Sequence, residues 1–194
     1  MAYVSTAELK TYLRNELGTL DDTFLASVVD AATTSVNQAC QRSFDVAGAG
    51  SARVYVPNGS DTLRIHDCTT VTAVTEDGVT LDSTAYQKEP LNALDWTGEA
   101  RPYEQLVRTD GSVWVVAVEN KASVSVTATW GWSAIPAGVK QACWIMAAEI
   151  ARQRDVRFGV IDAGDAAGAI VLSNRKVREL LERHRRPEAL GLPV

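Results

Sequence analysis

The chain has 194 residues, of which 46% are hydrophobic and 22% charged, a composition typical of an ordinary globular protein with one domain. No apolar run approaches the roughly 20 residues that cross a bilayer. No basic stretch followed by an apolar one opens the chain, so we expect neither a membrane anchor nor a signal peptide.

The net charge of −5 is unevenly distributed along the chain. Residues 1–137 carry 17 acidic and 9 basic side chains, whereas residues 138–194 carry 7 acidic and 10 basic ones. The acidic first part argues against nucleic-acid binding by overall charge attraction. The basic final part could bind phosphate groups, but it could equally bind an acidic protein surface.

The first 45 residues predict a pair of helices. Ser5 and Glu8 form a capping box, in which a hydroxyl and a carboxylate each bind a free amide at a helix start, and Gly18 is placed to end this helix. The carboxylates of Asp21-Asp22 suit the start of a second helix. Apolar residues spaced by three or four then predict about five turns, ending near Arg42.

Residues 46–134 predict a β region. Three dipeptides that tolerate the positive φ angles of tight turns lie between β-rich runs, and we expect a hairpin at each: Asn58-Gly59, Asp77-Gly78 and Asp110-Gly111. Alternation over 123–129 predicts one more half-buried strand. Residues 84–104 are typical of a long loop. The runs expected to pair are 53–56 with 62–65, 71–74 with 79–81, and 106–107 with 113–118.

The β region closes on Trp130-Gly131-Trp132, two indoles around a glycine at the point where a strand gives way to a helix. Pro136 suits the first turn of that helix. Residues 139–151 are apolar nearly all round, which predicts a long helix buried in a core or between subunits. Indoles are common both in cores and at protein interfaces. The candidates for packing or for a subunit interface are Trp130, Trp132, Trp144 and Ile145.

The last part of the chain predicts a loop followed by a basic helix. Glycine, alanine and aspartate dominate residues 159–169, which predicts a mobile loop. Ser173 is placed to cap a helix from Asn174 to about Arg186, and Pro187 stops it. Its basic side chains are compatible with a solvated helix face, with docking on an acidic protein, or with contact to a nucleic-acid backbone. They are Arg175, Lys176, Arg178, Arg183, Arg185 and Arg186.

Together these patterns predict an α+β fold of one domain, a small helical bundle with an inserted antiparallel β-hairpin sheet. The bundle would comprise the two N-terminal helices, the long apolar helix and the basic C-terminal helix. The expected segments are a helical pair (1–45), a β region with hairpins and a long loop (46–134), an apolar core helix (135–158), a mobile loop (159–172), and a basic helix with its tail (173–194).

No motif in the chain predicts catalysis, a cofactor or a metal. The pair His66-Asp67 could support a general base, but a histidine at a strand end is the better interpretation. Cys68 lies beside this pair, yet no second cluster would complete a zinc site. The three cysteines are widely spaced, which predicts free buried thiols. We therefore expect a protein without enzymatic activity, without cofactors and without a metal site.

Several motifs occur in an order that is found in one protein family. They are the helical pair with Leu9, Leu13 and Val28, then Cys40-Gln-Arg-Ser-Phe44, Thr129-Trp-Gly-Trp132, Ile135-Pro-Ala-Gly-Val-Lys-Gln-Ala142 with its helix, Val177-Arg-Glu-Leu-Leu181 and Arg185-Arg186. In this order the chain resembles the head–tail connector (adaptor) proteins of long-tailed bacteriophages.

This resemblance implies a structural virion protein that is made in the host cytoplasm and located at the neck. Connector proteins form a ring, usually of twelve subunits, beneath the portal, and genomic DNA passes through it without sequence-specific binding. The resemblance further implies that the C-terminal segment engages the portal. The β or loop region would then face a head-closure, neck or tail-terminator protein.

Two other interpretations remain open at this point. The chain could be a small DNA-binding protein that uses its C-terminal arginines, or another virion part such as a tail-completion protein. A DNA-binding protein would show salt-sensitive affinity for duplex DNA that is lost when Arg183, Arg185 and Arg186 are neutralised. A connector would instead lose its attachment to the portal.

Overall fold

The protein divides into two compact units. We call them the helical unit (Met1–Phe44 and Ile135–Val194) and the β unit (Asp45–Ala134). The described residues hold four α-helices and an antiparallel sheet, which confirms the α+β fold class. The computed structural model describes residues 2–13, 21–95, 97–116, 121–153 and 174–186.

Some of the predictions lie outside the described residues. They are the end of the first helix at Gly18, the loop at 159–169, the cap at Ser173 and the stop at Pro187.

Helix α1 (Thr6–Tyr12) begins at the predicted capping box. The Ser5 hydroxyl accepts a hydrogen bond from the Glu8 amide at 3.1 Å, and the Glu8 carboxylate accepts one from the Ser5 amide at 2.6 Å. Two hydrogen bonds to the Glu8 carboxylate lower its pKa. The bond donated by the Ser5 amide has the larger effect, and the bond donated by the Ser5 hydroxyl has the smaller one. Leu9 points into the core of the helical unit and is fully buried.

Helix α2 (Asp22–Cys40) also starts where the sequence predicts. The Asp21 carboxylate accepts from the Thr23 amide at 3.2 Å, which caps the helix. Gln41, in the left-handed conformation with φ 51°, ends it close to the predicted position. Its buried face consists mainly of aliphatic residues: Leu25, Val28, Val29, Ala32, Val36 and Cys40.

Helix α3 (Ala137–Gln153) begins directly after Pro136 and packs against α2. Most of its buried residues are small, and Cys143 lies 3.7 Å from the Thr33 hydroxyl of α2. The prediction of a helix that is apolar all round is not supported. Lys140 and Glu149 are half-buried, and the exposed side chains include Gln141 and Arg152, so the helix has a polar side.

Helix α4 (Arg175–Glu182) is shorter than predicted, since it ends before the expected limit at Arg186. Asn174 is its cap and not its first residue, because its side-chain oxygen accepts from the amides of Lys176 and Val177 at 3.0 and 3.2 Å. The same side chain donates to Glu149 of α3 at 2.5 Å. Val177 and Leu181 are buried and hold α4 in the helical unit.

The β unit is built on one sheet whose strands pair antiparallel, in the order β1-β6-β2-β5-β4, with the short β3 pairing with β2. Its core is formed by apolar side chains of β2, β5 and β6 together with Trp114. The strands are β1 (Ser51–Tyr55), β2 (Thr62–Glu76), β3 (Val79–Thr80), β4 (Tyr86–Glu89), β5 (Tyr103–Arg108) and β6 (Val124–Trp130).

Of the three predicted hairpins, the one at Asp77-Gly78 is confirmed. It joins β2 to β3, and both turn residues have positive φ angles. The prediction of a hairpin at Asn58-Gly59 is wrong, because β1 pairs with β6 and not with β2. At Asp110-Gly111 the chain does turn, but residues 113–116 form no strand. The Trp114 amide instead donates to Ser60 O at 2.9 Å.

Strand β2 joins two runs that the sequence separates. Its first half pairs with β5 and its second half with β6, and the register shifts between Arg64 and Cys68, between Cys68 and Thr70, and between Val71 and Ala73. Such bulges bend a strand and increase its twist. One long strand can therefore pair with both β5 and β6, although its buried and exposed residues do not alternate regularly.

The long loop predicted at 84–104 is wrong. This stretch contains β4, a 3-10 turn at Leu91–Ala93 and the first residues of β5. Strand β4 lies at the edge of the sheet and reads Tyr-Gln-Lys-Glu, without apolar alternation. Edge strands commonly carry charged side chains, and for that reason hydrophobic periodicity does not reveal them.

Candidate assembly surfaces

The basic residues predicted for docking fall into two groups. Within the first group Arg175 donates to Glu179 at 2.9 Å, an i,i+4 pair in which the Arg175 side chain is 86% exposed. Such an exposed pair contributes little to stability. The helix exposes four basic side chains and the two glutamates Glu179 and Glu182, so its exposed side has a net charge of +2. The exposed basic side chains, which we call the basic surface, are Arg175, Lys176, Arg178 and Arg183.

The second group consists of Arg185 and Arg186, which are half-buried and bind the end of α2. The Arg185 Nε donates to Ala39 O at 3.0 Å, and the Arg186 amide donates to Cys40 O at 3.1 Å. The last carbonyls of a helix lack partners within the helix, and a cation there is favoured by the helix dipole. These two arginines therefore fasten the segment after α4 inside the helical unit.

Residue His184 adds a buried contact to the same segment. Its ring lies edge-on to Phe44 at a centroid distance of 6.0 Å, and the Phe44 amide donates to the Tyr3 hydroxyl at 2.7 Å. A Cβ on Gly138 would lie 3.6 Å from His184 Nε2 and 3.4 Å from Leu180 O, so α3 approaches this segment closely. The backbone beneath the basic surface is thus held by packing from several sides.

The Trp130-Gly131-Trp132 junction packs inside the β unit. The Trp130 indole N–H donates to Ser51 O at 2.8 Å, and the Trp132 indole N–H donates to the Asp67 carboxylate at 3.0 Å. Both indoles are buried, and the Arg53 guanidinium lies 4.5 Å from the centre of the Trp130 ring. Their hydrogen-bonding groups are therefore used within the unit itself.

The glycine between the indoles permits a close approach of the backbone. Gly131 has φ 119°, and a Cβ there would lie 2.5 Å from Asp45 O. The next residue bonds to the same segment: the Trp132 amide donates to Asp45 O at 2.9 Å, and the Ala47 amide donates to Trp132 O at 2.8 Å. A parallel bridge between Val46 and Trp132 completes the contact. The first and last segments of the β unit are thereby joined.

The remaining predicted interface residues, Trp144 and Ile145, are half-buried on α3. The Trp144 ring stacks on Tyr12, with centroids 6.3 Å apart and planes at 15°. A groove of about 460 Å³ is lined by this pair together with the α1 residues Ala7, Glu8 and Thr11. Tyr12 was not singled out from the sequence, although its helical spacing from Leu9 placed it beside the core.

The three cysteines and the histidine next to Asp67 contact other groups of the protein. Cys40, Cys68 and Cys143 are free and buried, and burial raises their pKa values to about 12, 12 and 11. Thiols in this state are poor nucleophiles and poor metal ligands. His66 Nδ1 lies 2.9 Å from the Tyr55 hydroxyl, whereas the neighbouring carboxylate bonds to Trp132. Among the described residues, no group of three potential ligands could hold a metal.

In the part of the chain that the structure describes, no helix is long and apolar enough to cross a membrane.

Comparison with known proteins gives a match in structure only. No protein-family model and no curated protein matches the chain. A chain from the neck of an empty gene transfer agent (GTA) particle, computed with C6 symmetry, is 21% identical with a TM-score of 0.55, and the match covers 94% of this chain and 89% of that one. A chain from the virion of a native GTA particle gives a TM-score of 0.54 at the same identity and coverage. The protein therefore shares its fold, over nearly its whole length, with chains of gene transfer agent particles.

Proposed function

We propose that the protein is a structural subunit of a virion neck, where copies of it form an adaptor ring between the portal of the head and the tail. The observation that carries this proposal is the fold shared with a GTA neck chain. The match covers 94% of this chain and 89% of the other, so both units have counterparts there. That neck was computed with C6 symmetry, and a ring of twelve is compatible with a sixfold axis.

The distribution of charge supports a passive role towards DNA. The β unit contains 12 acidic and 6 basic residues, a net charge of −6. A surface of this sign offers few contacts to phosphate, so DNA that passes beside it would slide without being held. The protein would then act as a conduit, without enzymatic activity and without reading the sequence of the DNA.

The basic surface is the proposed point of attachment to the portal. Its four cations are exposed on a helix whose opposite side is buried, so they can meet a partner without unfolding the unit. Arg185 and Arg186 are left out of this surface because they bind the end of α2.

The test is reconstitution on heads that carry the portal but lack the neck. Purified protein is added to such heads, and particles are imaged by cryo-electron microscopy with averaging around the portal axis. The expected result is a new ring of density at the portal exit. Heads that stay unchanged at saturating protein would show that the proposal is wrong.

Two matched variants test the docking surface. Neutralising Arg175, Lys176, Arg178 and Arg183 to glutamine should abolish attachment to heads, because the attraction to an acidic portal is removed. The control is Glu179→Gln with Glu182→Gln, which changes the same helix but keeps all four cations, and it should attach as well as the original chain. A gel-shift titration with duplex DNA should show weak binding for all three proteins. Tight, salt-sensitive binding by the original chain would favour the DNA-binding interpretation.

A further inference from the structure

Where β1, β6 and the second half of β2 pair, one side of the sheet carries no charged side chain. The pairing register places Ala52 opposite Thr127 and Val54 opposite Ser125 across β1 and β6. Across β6 and β2, the same two β6 residues lie opposite Ala73 and Thr75. We call this side the uncharged face, and its members are Ala52, Val54, Thr70, Ala73, Thr75, Ser125, Thr127 and Thr129.

The other side of these strands is the core of the β unit. On β6 the residues that alternate with the uncharged ones, Val124, Val126 and Ala128, are all buried. The residues of the uncharged face are exposed or half-buried, and Val54 is exposed to 68%. Successive residues of a strand point to opposite sides of the sheet, so the two sets are separated by the pleat itself.

The absence of charge on this face contrasts with the rest of the unit. Residues 45–134 contain 18 charged side chains, and none of them lies among the eight positions of the face. Three of its threonines bond within the sheet, since Thr70 donates to the Thr129 hydroxyl at 2.9 Å and Thr75 donates to Ser125 O at 3.3 Å. The face therefore presents only small aliphatic side chains and hydroxyls.

We propose that a second copy of this chain packs on the uncharged face, forming the contact between neighbouring subunits of the ring. This inference rests on the proposed function, which places identical copies side by side. Each copy brings a β unit with a net charge of −6, and two such units repel each other wherever their charges meet. A contact free of charge avoids that repulsion, and small and β-branched side chains on a sheet suit packing against another protein surface.

The edge of the sheet extends the same surface. Among the strands that the structure describes, β1 pairs with β6 alone and lies at the end of the strand order. Val54 is exposed to 68%, and Val56, just beyond the end of β1, is exposed to 51%. An exposed edge with apolar side chains is a ready site for association between chains. A nucleic acid is a poor fit here, because the face offers no cation to phosphate.

Site-specific photo-crosslinking tests the identity of the neighbour. Benzoylphenylalanine is placed at Val54 or, as a matched control, at Val79, which is 67% exposed but pairs with Glu76 on the core side of the sheet. After irradiation, mass spectrometry identifies the adducts, both in assembled necks and in the purified protein at high concentration. The probe at position 54 should give a self-adduct of about twice 20.9 kDa, and the probe at position 79 should give none. An adduct at position 54 with a different protein, or no adduct, would overturn the proposal.

A charge placed on the face provides the second measurement. Val54→Glu should reduce the amount of protein in the ring at least tenfold relative to Val79→Glu, and circular dichroism should show both variants folded. If Val54→Glu assembles as well as the control, the uncharged face is not the subunit contact, although the neck function stands. If the original chain adds no density at the portal, the neck function fails, and crosslinking in solution still decides whether the face binds a second copy.

Discussion

Replacing Gly131 with alanine should destabilise the β unit more than the same change at an exposed turn glycine. A Cβ at this position would lie 2.5 Å from Asp45 O and 3.0 Å from the N and Cα atoms of Ala47. These are backbone atoms, so no rotation of a side chain can relieve the contact. The φ of 119° adds strain of about 1–3 kcal/mol, because it lies in a region that glycine adopts far more readily than other residues.

The remaining cost comes from the hydrogen bonds around Gly131. If the segment 45–47 moves away, the bonds of 2.9 Å from the Trp132 amide to Asp45 O and of 2.8 Å from the Ala47 amide to Trp132 O are strained or lost. Each backbone hydrogen bond contributes about 1 kcal/mol net. Together with the strain, the expected loss in the free energy of unfolding is roughly 3–5 kcal/mol.

Urea unfolding, followed by circular dichroism and tryptophan fluorescence, measures this loss. With a slope of about 1–3 kcal/mol per M for small proteins, the midpoint should fall by at least about 1 M. The control is Gly111→Ala, where φ is 77° and no atom would lie within 4 Å of the new Cβ. This control should lose only the backbone cost of about 1–2 kcal/mol. Equal losses for the two variants would refute the argument from close approach.

Four further outcomes follow from contacts in the helical unit and from the thiols. Arg185→Ala should lower the free energy of unfolding by about 1.5–3 kcal/mol, because it removes a charged donor from the end of α2, whereas Arg175→Ala should change it by less than about 0.5 kcal/mol. Equal effects in urea titrations would contradict this assignment of roles. Ser5→Ala should cost about 0.5–2 kcal/mol through the lost cap, and thermal unfolding with Ser5→Thr, which keeps the hydroxyl, as the control would check it. The three thiols should resist Ellman's reagent at pH 8 until urea unfolds the chain. Because folding raises their pKa values from 9.0 to about 11–12, the stability they contribute is complete below pH 9 and falls as the pH rises towards 11–12. A free energy of unfolding that stays constant between pH 9 and 11 would contradict this expected pH dependence.

The helices could be predicted because their signals are local. The capping box at Ser5 and Glu8 and the proline at 136 each act within a few residues of the helix that they start. Side-chain periodicity identified the buried face of α2 for the same reason. The predicted cap of α4, Ser173, lies one residue before the observed cap, Asn174. Both residue types are good caps, and the sequence does not distinguish between them.

Strand pairing could not be predicted in the same way, because it depends on partners far apart in the chain. A turn at Asn58-Gly59 shows that the chain reverses, but it does not show that β1 will pair with β6, about 70 residues later. The two halves of β2 looked like separate strands because bulges interrupt their alternation. The uncharged face was invisible for the same reason, since its members meet only through this pairing.

The candidate site was predictable in composition but not in geometry. The six basic residues were evident from the sequence, yet only the structure shows that Arg185 and Arg186 bind the end of α2. The Trp130-Gly131-Trp132 motif was recognised as a junction. Its partners Asp67 and Ser51, far away in the sequence, explain why both indoles are buried.

The contact between Val46 and Trp132 has a consequence for how this chain can vary. It brings the two ends of the β unit together, so the first and last segments of this unit lie side by side. When the two ends of an inserted segment are in contact, the length of the segment has little effect on the entropic cost of bringing the flanking residues together. The β unit can therefore be lengthened or exchanged as a whole, while the residues that flank it in the chain keep the same separation.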